Sequence, residues 1–96
     1  MALSAARAGA DIILHHGHSP ELVLETAEEI KSLGRQCWIH QADLNRPDDV
    51  SRFAEHAFSH GPIFGLVNNA SIFPPGGMVE TDLSTWQDCM NVNLTA

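Results

Sequence analysis

The stretch Leu14-His15-His16-Gly17-His18-Ser19-Pro20 puts three imidazoles within four positions, and the first chemistry such crowding offers is metal coordination. The local pattern argues against it. Ile12-Ile13-Leu14 is a short apolar run bounded by turn signals, which reads as a buried strand. His15 and His16 are then neighbours on a strand and point to opposite faces, so they do not easily share one ion. No cysteine or carboxylate completes a ligand set nearby, and a structural zinc site wants four well-placed ligands. The bland alternative is a solvated loop. Cys37 and Cys89 lie far apart, form no CxxC pair and read as reduced thiols. The other stretches with chemical potential are Asp43-Leu44, Asn68-Asn69-Ala70-Ser71, and Asn93, which sits in an otherwise helical segment where asparagine is a poor former.

The elements that must position these residues follow from periodicity and punctuation. Residues 1–8 are alanine-rich and helical, and Gly9 stops them. A strand covers residues 10–14. Ser19-Pro20 is a helix start, with Ser at the N-cap and Pro in the first turn. That helix runs to Leu33, with Leu22, Val23, Thr26, Ala27, Ile30 and Leu33 on one face, and Gly34 closes it. A second strand spans about residues 36–41. Pro47 opens the next helix, whose Val50, Phe53, Ala54, Ala57 and Phe58 make a core-facing stripe. Gly61-Pro62 ends it. Residues 63–67, Ile-Phe-Gly-Leu-Val, read as a third buried strand, and a last helix begins near Leu83 or Ser84.

Strands alternating with helical crossovers predict an α/β fold with a doubly wound parallel sheet, here about three strands and four helices of it. Ligands in such folds bind at the carboxyl ends of the strands. Residues 15–19, 42–45 and 68–73 all fall there. With 96 residues, 44% of them hydrophobic, the chain is one small domain at most. Its net charge of −7 and five scattered basic residues argue against nucleic acid as the main partner. No run is apolar enough to span a membrane and no signal peptide is visible, so the expected location is cytoplasmic.

In this frame the chain resembles the short-chain dehydrogenase/reductase family along all of its residues. Ala6-Arg7-Ala8-Gly9-Ala10 looks like the end of the family's first helix, and Asp43-Leu44 like its adenine-contacting pair. Asn68-Asn69-Ala70-Ser71 resembles its Asn-Asn-Ala-Gly motif, with Ser71 departing from the usual glycine. Asn91-Val92-Asn93-Leu94 resembles the segment carrying its helix asparagine. The resemblance implies a Rossmann-type domain, of which residues 1–96 are a part incomplete at both ends. It implies that Asp43 accepts from an adenine amino group while the Leu44 N–H donates to the ring. Asn69, Ala70 and Ser71 would line the nicotinamide side, with Asn68 mostly structural, and Asn93 would hold a water of the proton relay. Asn91 is the rival for that last role.

The same resemblance places the adenosine ribose beside the histidines. Family members that prefer NAD usually carry a carboxylate at about His16, and no acid lies between Asp11 and Glu21. His18 and Ser19 can instead donate to a phosphate at a helix start. NADP is therefore the expected cofactor, with NAD the alternative. The family's catalytic Tyr-x-x-x-Lys pair and its glycine-rich loop do not occur here; the chain has no tyrosine, and Lys31 lies on the second helix. The expectation is an internal piece of a longer oxidoreductase that moves a hydride between nicotinamide and a carbonyl or alcohol. Its parent would be a homodimer or homotetramer, and the isolated piece inactive and poorly folded. The alternative is a catalytically dead truncated paralogue that binds nucleotide or a partner. The substrate is not readable: Ile72, Phe73 and the turn at 74–77 could form one lip of a pocket or simply a rigid turn.

Overall fold

The computed structural model describes residues 1–72, 74–77 and 79–96. Its elements run α1 (Ala2–Arg7), β1 (Ile12–His16), α2 (Pro20–Ser32), β2 (Cys37–Gln41), α3 (Pro47–Ser59) and α4 (Leu83–Met90), followed by a π-helical turn at Asn91–Thr95. β1 and β2 pair in parallel, from Ile12 opposite Cys37 to His16 opposite Gln41. A parallel pair needs a crossover, and α2 is that crossover. Its ends are marked in the sequence. Pro20 stands in the first turn behind Ser19 at the N-cap, and Gly34, at φ +80°, takes the left-handed position that ends the helix.

The ribbon is covered on both faces, by different means. On one side α1 and α2 pack over a small aliphatic core of Ala6, Ala27, Ile30 and Cys37, with Ile12, Leu14 and Ile39 against it. Ile30 is fully buried, which contributes roughly 2 kcal/mol from its side chain alone. On the other side α3 lies over β2. His15 meets Phe53 edge-on, with ring centroids 5.3 Å apart, and Trp38 stacks on His60 at 4.6 Å. At the strand starts, Asp11 accepts from the Arg35 guanidinium and from the Gln36 backbone N–H, which ties the α2–β2 turn to β1.

Four expectations need correction. Residues 63–67 are not a strand: they run irregularly and exposed, with Phe64 wholly in solvent. A strand exists only as part of a ladder. The doubly wound order places a further strand between β1 and this segment, and the described residues contain no such strand. Among the described residues the sheet therefore has two strands. For the same reason Phe58, expected in the stripe of α3, is 67% exposed: the sheet surface that would cover it is not formed. Leu22 and Leu33 also stay exposed, and α2 buries the narrower stripe of Ala27 and Ile30, flanked by half-buried Val23 and Thr26. Finally, β1 begins two residues later than expected and takes in His15 and His16.

Candidate nucleotide-binding site

The parallel register brings the ends of β1 and β2 side by side, and the polar residues follow from that. The Ala42 N–H donates to the His16 carbonyl at 3.2 Å, which extends the ladder one step past the strands. The Gln41 side chain donates to the Gly17 carbonyl at 3.1 Å. His15 Nε2–H donates to the Ala42 carbonyl at 2.8 Å, so this ring pins the two chain ends together and serves the scaffold. His16 points to the opposite face. Its Nδ1 is buried and has no hydrogen-bond partner among the described residues. A buried polar atom left unpaired costs stability unless something binds it.

Beyond the strands, His18 and Ser19 are exposed at the start of α2. Ser19 is the N-cap residue, as expected, but its hydroxyl makes no capping bond and so stays uncommitted. Asp43 follows Ala42. Its backbone N–H donates to Asp49 at 3.1 Å, and one carboxylate oxygen, Oδ1, accepts from the Asn45 N–H at 2.9 Å. The other oxygen accepts nothing among the described residues. Leu44 is half-buried in the turn that follows. The Asp43 N–H holds the Asp49 carboxyl below the usual carboxylate range, with Arg46 and the paired Arg52 adding to the effect.

His18 and Asp43, but not His16, Ser19 or Leu44, line an open cleft of about 340 Å³, together with Gly17, Gln41, Asp49, Arg52, Phe53 and His56. The last four come from α3, and Arg52 and His56 are site residues that sequence reasoning missed. The one signal for Arg52 was its i,i+3 spacing from Asp49. A slightly larger groove of about 370 Å³ lies at the other end of the ribbon, beside Lys31, Arg35 and Trp38. Ligands of parallel sheets sit at the carboxyl ends, so the smaller cleft is the functional candidate.

The remaining expected residues lie further along the chain. Asn69, Ala70 and Ser71 are exposed on an irregular segment, and no hydrogen bond among the described residues joins them to either strand. Phe73 lies outside the described residues. Asn93 makes two bonds to one residue: its Oδ1 accepts from the Ile72 N–H at 2.8 Å, and its Nδ2 donates to the Ile72 carbonyl at 3.0 Å. It thereby fixes the end of the Asn68-to-Ser71 loop, and it does so from the π-helical turn. Asn91 is used differently. Its Nδ2 donates to Asn45 Oδ1 at 3.0 Å, while Asn45 donates to Asp88 at 2.8 Å. This side-chain chain docks α4 onto the loop after β2.

A parallel ribbon with helices on both faces and a polar cleft at its carboxyl end defines a Rossmann-type nucleotide fold, seen here in part. Comparison with known proteins gives the family. The profile described as short chain dehydrogenase matches residues 1–96, and the chain belongs to that family. It is 35% identical over 95 residues to the 2-dehydro-3-deoxy-D-gluconate 5-dehydrogenase of Escherichia coli, covering 98% of this chain and 36% of that protein. The crystal structure of a blue fluorescent protein from a metagenomic library, in complex with NADPH, superposes with a TM-score of 0.85 at 32% identity, over 97% of this chain and 41% of that one. A short chain dehydrogenase of Burkholderia cenocepacia in complex with NADP gives 0.86 at 30% identity, over 97% and 41%. The chain thus spans little more than a third of the curated relative's length. No helix among the described residues is long and apolar enough to cross a membrane.

Proposed function

We propose that residues 1–96 are part of one Rossmann-type domain and supply the adenosine half of the cofactor site in an NADP-dependent oxidoreductase. The observation that carries this reading is the parallel register, which sets His16, His18, Ser19, Asp43 and Leu44 at one end of the ribbon. The uncommitted groups there suit an adenosine phosphate. The Ser19 hydroxyl caps nothing, and one oxygen of Asp43 is open to an adenine amino group. No acid lies between Asp11 and Glu21, where NAD-preferring members of the family carry their ribose carboxylate; this favours NADP over NAD. The two NADP-family complexes among the structural relatives support the same preference.

In this reading Asn69, Ala70 and Ser71 line the nicotinamide side, and Asn93 serves the proton relay while holding Ile72. When bound, the cofactor supplies the hydride for a carbonyl, or accepts it from an alcohol. The apolar side chains that α4 and the turn after it expose (Leu83, Trp86 and Leu94) fit a parent that assembles as a homodimer or homotetramer. Calorimetric titration of NADP and NAD into the protein at neutral pH tests the preference. NADP is expected to bind more tightly, and His18→Asp to turn the order toward NAD. Equal affinities, with His18→Asp silent, would contradict the assignment. Oxidation of NADPH by a panel of carbonyl compounds, read at the nicotinamide absorbance, tests the chemistry.

A further inference from the structure

The face of the ribbon under α3 carries a second histidine cluster, of which only His56 also lines the cleft. His40 on β2 and His60 at the C-cap of α3 place their Nε2 atoms 2.9 Å apart. The His56 ring, one helical turn earlier, has its centroid 5.4 Å from that of His40. Trp38 stacks on His60 with an interplanar angle of 21°, and Phe53 meets His40 edge-on at 6.2 Å. A nitrogen–nitrogen contact of this length is a hydrogen bond only while one ring donates and the other accepts. A further proton turns the acceptor into a second donor. Two N–H groups then face each other, at least one ring is charged, and the bond is lost.

No protein carboxylate among the described residues offsets that charge, although His56 and His60 are exposed and His40 is only half-buried. From β1 the facing titratable group is His15, already committed to the Ala42 carbonyl. From α3 they are His56 and the Asp49–Arg52 pair, whose charges satisfy each other, while Asp48 and Glu55 stand exposed. No carboxylate among the described residues pairs with His40, His56 or His60. The cluster is not built for a metal either: no three ligating side chains among the described residues are arranged to hold one.

We propose that His40, His56 and His60 form an acid-sensitive latch that holds α3 on the sheet, and that protonating it frees α3 together with the cleft wall of Arg52, Phe53 and His56. The latch needs only the packing under α3, whatever ligand the cleft takes. Burial lowers the His40 pKa from the ordinary histidine value, and the neighbouring His60 and His56 lower it further. The unfolded chain therefore binds this proton more readily than the folded one. The contribution of the latch is complete above about pH 6.5 and is lost as the pH falls below it.

Amide hydrogen exchange on the 96-residue chain, corrected for intrinsic rates, tests the latch. Between about pH 7.5 and about pH 5.5, protection of α3 is expected to drop by about tenfold or more while that of α2 holds. His40→Leu keeps an apolar contact with Phe53 and removes the histidine pair, and it should leave α3 equally protected at both pH values. If that variant does not fold, His60→Phe keeps the stack on Trp38 and serves the same purpose. In a Trp86→Phe background, Trp38 emission should follow the same transition. Unchanged α3 protection in the parent chain, or the same acid opening in the variants, would overturn the proposal.

Discussion

The two faces of the β1–β2 ribbon are made of different chemistry. Under α1 and α2 the sheet presents Ile12, Leu14 and Ile39 to Ala6, Ala27 and Ile30. Under α3 it presents His15, Trp38 and His40 to Phe53, His56 and His60. The aliphatic face gains its stability from apolar burial, which is insensitive to protons. The aromatic face depends on rings that must stay neutral. The first face holds the scaffold and the second holds the wall of the cleft. A change of conditions can therefore alter the cleft while the scaffold persists.

The sharpest way to break this comparison is on the aliphatic side. Ile30→Ala should cost about 2–5 kcal/mol, read as a lower urea midpoint, because Ile30 is fully buried at the centre of that face. A loss no larger than a surface substitution would show that this core is not what holds the ribbon. Next comes acid. Stability should fall in two separate steps as pH is lowered, the first below about pH 6.5 on the α3 face through His40. The second belongs to carboxyls held below the usual carboxylate range: Asp11 by the Gln36 N–H and Arg35, Asp49 by the Asp43 N–H, and Asp82 by Thr85. Each adds stability above the ordinary value of about 3.9 that is lost as the pH falls below it. A thermal-melt series across pH that gives one merged step would erase the distinction between the faces.

A smaller effect is expected where α4 meets the loop. Asn93→Ala removes both bonds to Ile72 and should cost about 1 kcal/mol, seen as faster exchange of the Ile72 amide. The smallest concerns the outer surface of α2. Leu22→Gln should change stability by no more than about 0.5 kcal/mol, because Leu22 is 66% exposed. A larger loss would mean that α2 buries more of its surface than the aliphatic face shown here.

The scaffold was legible because the chain punctuates it. Pro20 and Pro47 open helices, Gly9 and Gly34 follow helix ends, and short apolar runs lie between. Asp43 could be placed at a strand end for the same reason. What could not be read depended on neighbours. Residues 63–67 have every property of a buried strand, but strand formation is settled by a partner and not by composition. The stripes of α2 and α3 were read too wide because periodicity gives a direction, while burial needs a surface opposite. The His40–His60 contact joins a strand to a helix end twenty positions away and exists only in one register. Arg52 entered the cleft in the same way, through the packing of α3 beside the strand ends.

The most direct test of the account is an amide NMR titration of the chain with adenosine 2′,5′-bisphosphate, using 5′-AMP as the control. Shifts are expected to be confined to Gly17, His18, Ser19, Asp43, Leu44 and their neighbours in the cleft, with tighter binding of the bisphosphate. Shifts confined to Lys31, Arg35 and Trp38, or none at the ends of β1 and β2, would contradict it.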